Sequence, residues 1–199
     1  YRQSSVHRDD AAEVDTLNRY LWRFRPQRLE AEAIRDSALL VSDLLNPSIG
    51  GASVAPPLPH GMPPPAGGWQ VSKDKADHHR RSIYISVRRT ASYPMLGSFD
   101  MPESSESCAR RSSTVTAPQA LTLLNAKESL EWAQSLAGRV TQRAGSSLDQ
   151  QIVEAFRLAY TRTPDAWEKD RILTFVNKQR AVVMERQAKG ETLATPVPA

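Results

Sequence analysis

Three pairs of adjacent arginines are the residues in this sequence best suited to bind a ligand. Guanidinium groups are planar forks that pair bidentately with carboxylate, sulfate or phosphate. On alternating backbone, one arginine of each pair faces each side, so three guanidinium groups could converge on one anion, such as a sulfated or carboxylated glycan. The alternative is a network of internal ion pairs that fixes irregular chain. The pairs are Arg80 with Arg81, Arg88 with Arg89, and Arg110 with Arg111.

Three carboxylates, those of Asp100, Glu103 and Glu106, lie between the second and third arginine pairs. Asp100 and Glu103 are the right residue types for an acid and base acting on a glycosidic bond, a reaction that needs two carboxyl groups with divergent pKa values. Their proximity in sequence does not define their distance in space. A polysaccharide-acting enzyme is therefore the alternative hypothesis to a binding module.

Cysteine and histidine are too sparse to predict a metal or cofactor site. Cys108 is the only cysteine, which excludes an internal disulfide, a Cys-rich zinc site and covalent haem c attachment within this chain. Asp74, Asp77 and His78 would share a helical face, but no second ligand cluster accompanies them. We predict no metal and no cofactor in this chain.

The composition is typical of a globular domain with an unusual preference for arginine. The 199 residues are 40% hydrophobic and 24% charged, and no apolar stretch approaches the ~18 to 20 residues of a membrane span. The net charge is +4, with 20 Arg against 6 Lys. Acidic and basic residues are interleaved in Arg28 to Asp36, and no nucleic-acid recognition pattern accompanies the charge, so nucleic-acid binding is not expected.

The first 46 residues are predicted to be helical. Leu17, Tyr20, Leu21 and Phe24 have the spacing of one face of a short helix that ends near Arg25. A second helix is predicted from Pro26 to about Leu45, where Asn46 and Pro47 end it. Its apolar stripe consists of Leu29, Ala33, Ile34, Ala38, Leu40, Val41, Leu44 and Leu45.

The middle of the chain is predicted to be extended. Residues 47–70 form a long Pro/Gly-rich loop. Trp69, near the end of this loop, is the best candidate for stacking on a sugar ring. The alternative is that Trp69 holds the loop to the core. Residues 71–115 form an extended, Arg-rich segment. In it, alternation over Arg81 to Arg89 predicts a half-buried strand, and Tyr93 to Met101 a second extended stretch.

Residues 116–190 are predicted to form three helices joined by short turns. The helices begin at Thr116 with Gln119, at Ser147 with Gln150, and at Thr163 with Pro164, and the first runs to Gly145. A tail covers residues 191–199. The predicted fold class is mainly α, a bundle-like single domain over 1–199 with a small extended insertion and one long loop.

Several motifs, in order and spacing, resemble the C-terminal domain of unknown function in large planctomycete-type proteins that often carry a cytochrome c-like module upstream. They cover nearly all of residues 1–164. The matching stretches are Tyr1 to Ser5, Asn18-Arg19 with Leu21-Trp22, Arg28 to Asp36, Gly50-Gly51, Arg80 to Tyr84, Phe99 to Pro102, Cys108 with Arg110-Arg111, and Thr116 to Leu121 with Leu124-Asn125.

The resemblance implies an exported protein in the periplasm or cell envelope, with any haem c on an absent upstream domain. It supplies no mechanism. We expect a fragment of a larger protein, because the chain starts at Tyr1 without signal-peptide features. That start could leave exposed a face that upstream domains cover. The expected function is a binding or scaffolding module for an anionic polysaccharide or a neighbouring domain.

Overall fold

The fold is built from α-helices joined by irregular chain. A computed structural model describes residues 3–59, 61–89, 92–105 and 107–197. Within these ranges there is no β-strand, and isolated parallel bridges join Asn46 to Arg80 and Val54 to Ile85. The predicted mainly α class is confirmed. The helices are α1 (Asp9–Val14), α2 (Ala31–Val41), α3 (Lys75–His78), α4 (Pro94–Ser98), α5 (Ala117–Asn125), α6 (Lys127–Ala144), α7 (Leu148–Tyr160) and α8 (Ala166–Ala188).

The predicted helix over Leu17 to Phe24 is wrong. The chain leaves α1 at Asp15, whose carboxylate accepts hydrogen bonds from the backbone N–H groups of Arg19 at 2.9 Å and Tyr20 at 2.7 Å. Asn18 then adopts a left-handed φ of 54°. Asp and Asn side chains compete with helix formation by binding nearby backbone groups, so the segment turns instead of continuing as a helix.

Helix α2 lies at the centre of the fold. It is shorter at both ends than the sequence predicts. Ala31, Arg35 and Leu39 are its buried residues, and their i, i+4, i+8 spacing places them on one face. The core that packs around this helix contains Val54, Trp69, Ile85, Tyr93, Leu96, Phe99 and Trp132.

The predicted strand over Arg81 to Arg89 is also wrong. A 3-10 helix spans Ser82–Tyr84, and only Ile85 of the alternating apolar residues is buried, whereas Ile83 is 72% exposed. Helix α2 binds polar backbone groups at the start of this segment, and Tyr84 and Ser86 pair with Val54 in an isolated bridge. The Asp36 carboxylate accepts from the Ser82 N–H at 2.7 Å, and Arg35 donates to the Arg80 carbonyl at 2.9 Å.

Residues Tyr93 to Met101 are not extended as predicted, because α4 occupies most of them. Pro94 lies in the first turn of this helix, where its missing N–H needs no partner. Met95, Leu96 and Phe99 are buried, so the short helix contributes its apolar side chains to the core beside α2.

The C-terminal part has four helices where three are predicted, because the first is divided at Ala126, whose ψ is 136°. The Thr116 N–H donates to Gln119 Oε1 at 3.1 Å, as the capping box predicts. Ser147 caps α7, but α8 begins at the Asp165 cap and not at Thr163. None of the 23 residues of α8, all of which are described, is buried, and the helix packs against α7.

We predict that Arg35→Ala destabilises the protein strongly. Arg35 is 3% exposed, and its guanidinium donates to the carbonyls of His78 and Arg80 and to Ser82 Oγ. Truncation leaves these buried acceptors unpaired, so urea unfolding should show a loss of about 3 kcal/mol.

The free energy of unfolding of Arg35→Lys should lie between those of the wild type and Arg35→Ala. One ammonium group cannot reach all the acceptors that the guanidinium binds. Arg180→Ala, on the exposed part of α8, is the matched control and should stay within about 0.5 kcal/mol of the wild type. An Arg35→Ala variant as stable as this control would contradict the prediction.

Candidate functional site

Arg80 is a buried arginine that serves the interior of the protein. Its guanidinium donates to the carbonyls of Ala52 at 3.1 Å and Ser48 at 3.3 Å, and also to that of Gly50. It lies 4.1 Å from the centre of the Tyr84 ring, a cation–π distance. These contacts hold residues 48–52 in place and use both terminal nitrogens of the guanidinium.

Three more of the candidate arginines have internal partners in other parts of the chain. Arg81 pairs with Asp36 of α2 at 3.4 Å, and Arg88 donates to the Gly67 carbonyl at 3.0 Å. Arg111 bridges two carboxylates just before and within α2, those of Glu30 at 3.0 Å and Glu32 at 2.8 Å. Four of the six arginines are therefore held at four different places, whereas Arg89 and Arg110 are exposed.

Asp100 lies in a dense set of hydrogen bonds. Its carboxylate accepts from the backbone N–H of Thr114 at 2.8 Å, from the Thr114 hydroxyl at 2.9 Å and from Gln119 at 3.5 Å, and it pairs with Arg28. These hydrogen bonds and the Arg28 charge lower the pKa of Asp100. A general acid needs a raised pKa, so the surroundings of Asp100 favour a structural role.

Glu103 is exposed at the rim of a shallow surface cavity of about 310 Å³. Exposed Arg110 and Cys108 line the same cavity. The cavity is lined by Pro102, Glu103, Ser107, Cys108, Ala109 and Arg110.

Trp69 does not have the exposed ring that sugar stacking requires. It is 9% exposed, its indole N–H donates to the Pro56 carbonyl at 2.7 Å, and its ring stacks on Tyr93 at 6.2 Å. The hydrogen bond satisfies the polar end of the ring in the interior. The sugar-stacking hypothesis for Trp69 is therefore corrected to a core role, in which the ring contacts Pro56 and Tyr93.

The two histidines at the C-terminal end of α3 contact protein groups. His78 Nε2 lies 2.8 Å from the Ser72 carbonyl, and His79 Nε2 lies 3.4 Å from Glu131 of α6. The hydrogen bond with His79 lowers the pKa of Glu131. No group of three or more potential metal ligands occurs among the described residues.

Sequence reasoning missed the exposure of four apolar side chains in one segment, and we call this set the N-terminal apolar surface: Leu17, Tyr20, Leu21 and Phe24. All four side chains are exposed, Tyr20 by 85% and Leu21 by 68%. Their helical spacing suggested a buried face. The signal for the alternative was present in Asp15 and Asn18, two residue types that initiate turns.

The turn that carries this surface is held by its own hydrogen bonds. Besides the two bonds to Asp15, the Asn18 side chain donates to the Arg23 carbonyl at 2.8 Å and accepts from the Arg23 N–H at 3.2 Å. The Trp22 indole N–H donates to the Asp15 carbonyl at 2.9 Å. Leu21 has a φ of 55°, which is rare for a residue with a bulky side chain.

The fold and these surfaces define a mainly helical domain in which most of the singled-out arginines support the structure. The chain belongs to the family described as PSD1, protein of unknown function (DUF1553), which matches residues 1–176. No curated protein and no solved structure matches the chain. Within the described residues, no helix combines the length and apolar character needed to cross a bilayer.

We predict that Asp100→Asn lowers stability in a pH-dependent way. The folded-state pKa of Asp100 lies below its ordinary value of 3.8, so the ionised carboxylate stabilises the fold above pH 4. That contribution is lost as the pH falls through the folded-state pKa. Thermal unfolding should show the variant less stable at pH 7, with the difference shrinking below pH 4.

Asparagine tolerates the φ of 61° at this position, so the substitution changes the charge without adding backbone strain. Glu103→Gln is the matched control, and its exposed side chain should give an unfolding curve that superimposes on the wild type at each pH. Wild-type and Asp100→Asn curves separated by a constant amount from pH 7 to pH 3 would exclude the proposed electrostatic role.

Proposed function

We propose that this domain is a binding or scaffolding module that docks onto a neighbouring domain of the same exported polypeptide. The observation that supports this proposal is the N-terminal apolar surface, in which a turn closed by hydrogen bonds holds four large apolar side chains in water. Exposed apolar groups of this kind, rimmed by polar residues, are typical of protein contact surfaces.

The residue types of the surface suit a protein partner. Tyrosine and phenylalanine supply large contact areas with few rotatable bonds, and burial contributes about 1.5–3 kcal/mol for each large apolar side chain. Arg19 and Arg25 lie in the same segment, and arginine is enriched with tyrosine at the energetic centres of interfaces. The set is therefore chemically suited to a protein surface with a partly apolar, partly acidic face.

The backbone of the turn supports the same proposal. Leu21 is held in the left-handed region at a cost of about 1–3 kcal/mol, and its side chain makes no compensating burial. Strain of this kind persists where the surrounding contacts fix it, as the bonds of Asp15 and Asn18 do here. A pre-formed loop loses little conformational entropy on binding.

The contacts of the central arginines favour a docking module over a polyanion site in that segment. Arg80, Arg81, Arg88 and Arg111 already bind carbonyls or carboxylates of the protein itself. An anion would have to displace those partners. The periplasm or cell envelope remains the proposed location, because it follows from the resemblance to proteins with upstream domains.

We predict that backbone amides of Arg19 to Phe24 exchange with deuterium at least about tenfold more slowly in the polypeptide that the gene encodes than in the 199-residue chain. Docking buries the turn and suppresses its local opening. Hydrogen–deuterium exchange with peptide-level mass spectrometry measures the difference. Equal exchange rates in the two proteins would refute the docking proposal.

Leu21→Asn separates docking from folding. Asparagine accepts a left-handed φ, so the isolated variant should be as stable as the wild type or slightly more stable, while the extra protection in the full polypeptide should fall. Ile49→Asn is the control, because Ile49 is an exposed apolar residue of a different loop. Equal loss of protection in both variants would show that the effect is not specific to this surface.

A further inference from the structure

A surface cavity of about 560 Å³ lies between the end of α6, one face of α7 and the start of α8. It is distinct from the N-terminal apolar surface and from the three arginine pairs. Its size falls in the ~300–1,000 Å³ range of small-molecule sites. The lining residues that matter here are Arg143, Asp149, Val153, Glu154, Arg157 and Lys169.

Three cations and two carboxylates line the cavity, and two of the cations are paired with those carboxylates. Arg143 pairs with Glu154 at 3.2 Å, and Lys169 pairs with Asp149 at 2.7 Å. These pairs link α6 to α7 and α7 to α8, so they fix the walls. Among the described residues, Arg157 has no side-chain hydrogen bond or carboxylate partner, although it lines the same cavity.

We infer that this cavity binds a small hydroxylated ligand that carries a carboxylate or sulfate group, such as an acidic sugar unit. The Arg157 guanidinium takes the oxyanion through its fork of N–H donors. Each paired carboxylate of Asp149 and Glu154 keeps free lone pairs, because one cation does not use all the acceptor sites of a carboxylate. Those lone pairs accept hydrogen bonds from ligand hydroxyl groups.

Val153 completes the match to such a ligand. It lies one helical turn before Arg157 on α7, so the two residues share a face, and it gives the cavity wall an apolar patch. A sugar ring presents C–H groups on one face and hydroxyl groups at its edge. A bare inorganic oxyanion would use Arg157 alone, and a neutral sugar would leave Arg157 without a partner.

The inference is tested by NMR titration of the 199-residue chain with D-glucuronate, sodium sulfate and D-glucose at constant ionic strength. We expect saturable amide shifts for glucuronate that are confined to residues 143–157 and the first turns of α8. Sulfate and glucose should bind at least about fivefold more weakly. No shifts, or shifts spread over all arginine-bearing surfaces, would overturn the site.

The relative affinities test the ligand class separately from the site. Sulfate binding as tight as glucuronate binding would show that Asp149 and Glu154 accept no hydroxyl groups, which overturns the hydroxylated ligand. Glucose binding as tight as glucuronate binding would overturn the role of Arg157.

Arg157→Ala should weaken glucuronate binding about tenfold or more, because a hydrogen-bonded charge pair is lost. Arg180→Ala removes an exposed arginine outside the cavity and should leave the affinity unchanged. Equal affinities for the two variants would overturn the assignment. The N-terminal apolar surface takes no part in this titration, so its outcome is independent of the docking proposal.

Discussion

The buried guanidinium of Arg35 is the interaction on which the centre of this fold depends. Irregular chain surrounds α2, and without a sheet its backbone carbonyls need other donors, because an unpaired buried polar group is costly. Arg35 supplies them to His78 and Arg80, although burial lowers the pKa of its own side chain. Asp36, the next residue, accepts from Ser82 on the same segment. Two consecutive side chains of one helix thus take the place of a neighbouring strand.

The same use of arginine recurs at other junctions and explains the preference for arginine over lysine. Arg139 of α6 donates to the carbonyls of Leu40 at 3.0 Å and Val41 at 2.7 Å, which lie at the C-terminal end of α2. Arg28 reaches the Phe99 carbonyl and the Asp100 carboxylate. One guanidinium offers five N–H donors in a fixed plane, whereas an ammonium group offers three around a point. Internal contacts at these junctions therefore use several of the arginines that the sequence carries.

Helix-capping residues in the sequence predicted the helices whose ends are fixed by hydrogen bonds between near neighbours. The Thr116 and Gln119 capping box and the Ser147 cap are examples, because each bond spans three residues. The 3-10 turn at Ser82 was missed because it depends on Arg35 and Asp36, which lie far along the chain. The candidate arginines were recognised from their residue type and position in the sequence. Their roles were not predicted, because their partners lie far away along the chain. Arg80 binds Ala52, 28 residues away, and Arg111 binds Glu30, 81 residues away.

The shallow packing of α8 gives the protein an uneven distribution of stability. Helix α2 is tied to α6 and to the segment around Ser82, so those elements should open together. Helix α8 buries no residue and rests on α7, with Lys169 and Asp149 as one of the links. It can therefore detach at a lower free energy than the core unfolds. A molecule that occupies the cavity beside Lys169 would raise the free energy of this detachment. Binding would then hold α8 more firmly in its folded position at the C-terminal end of the chain.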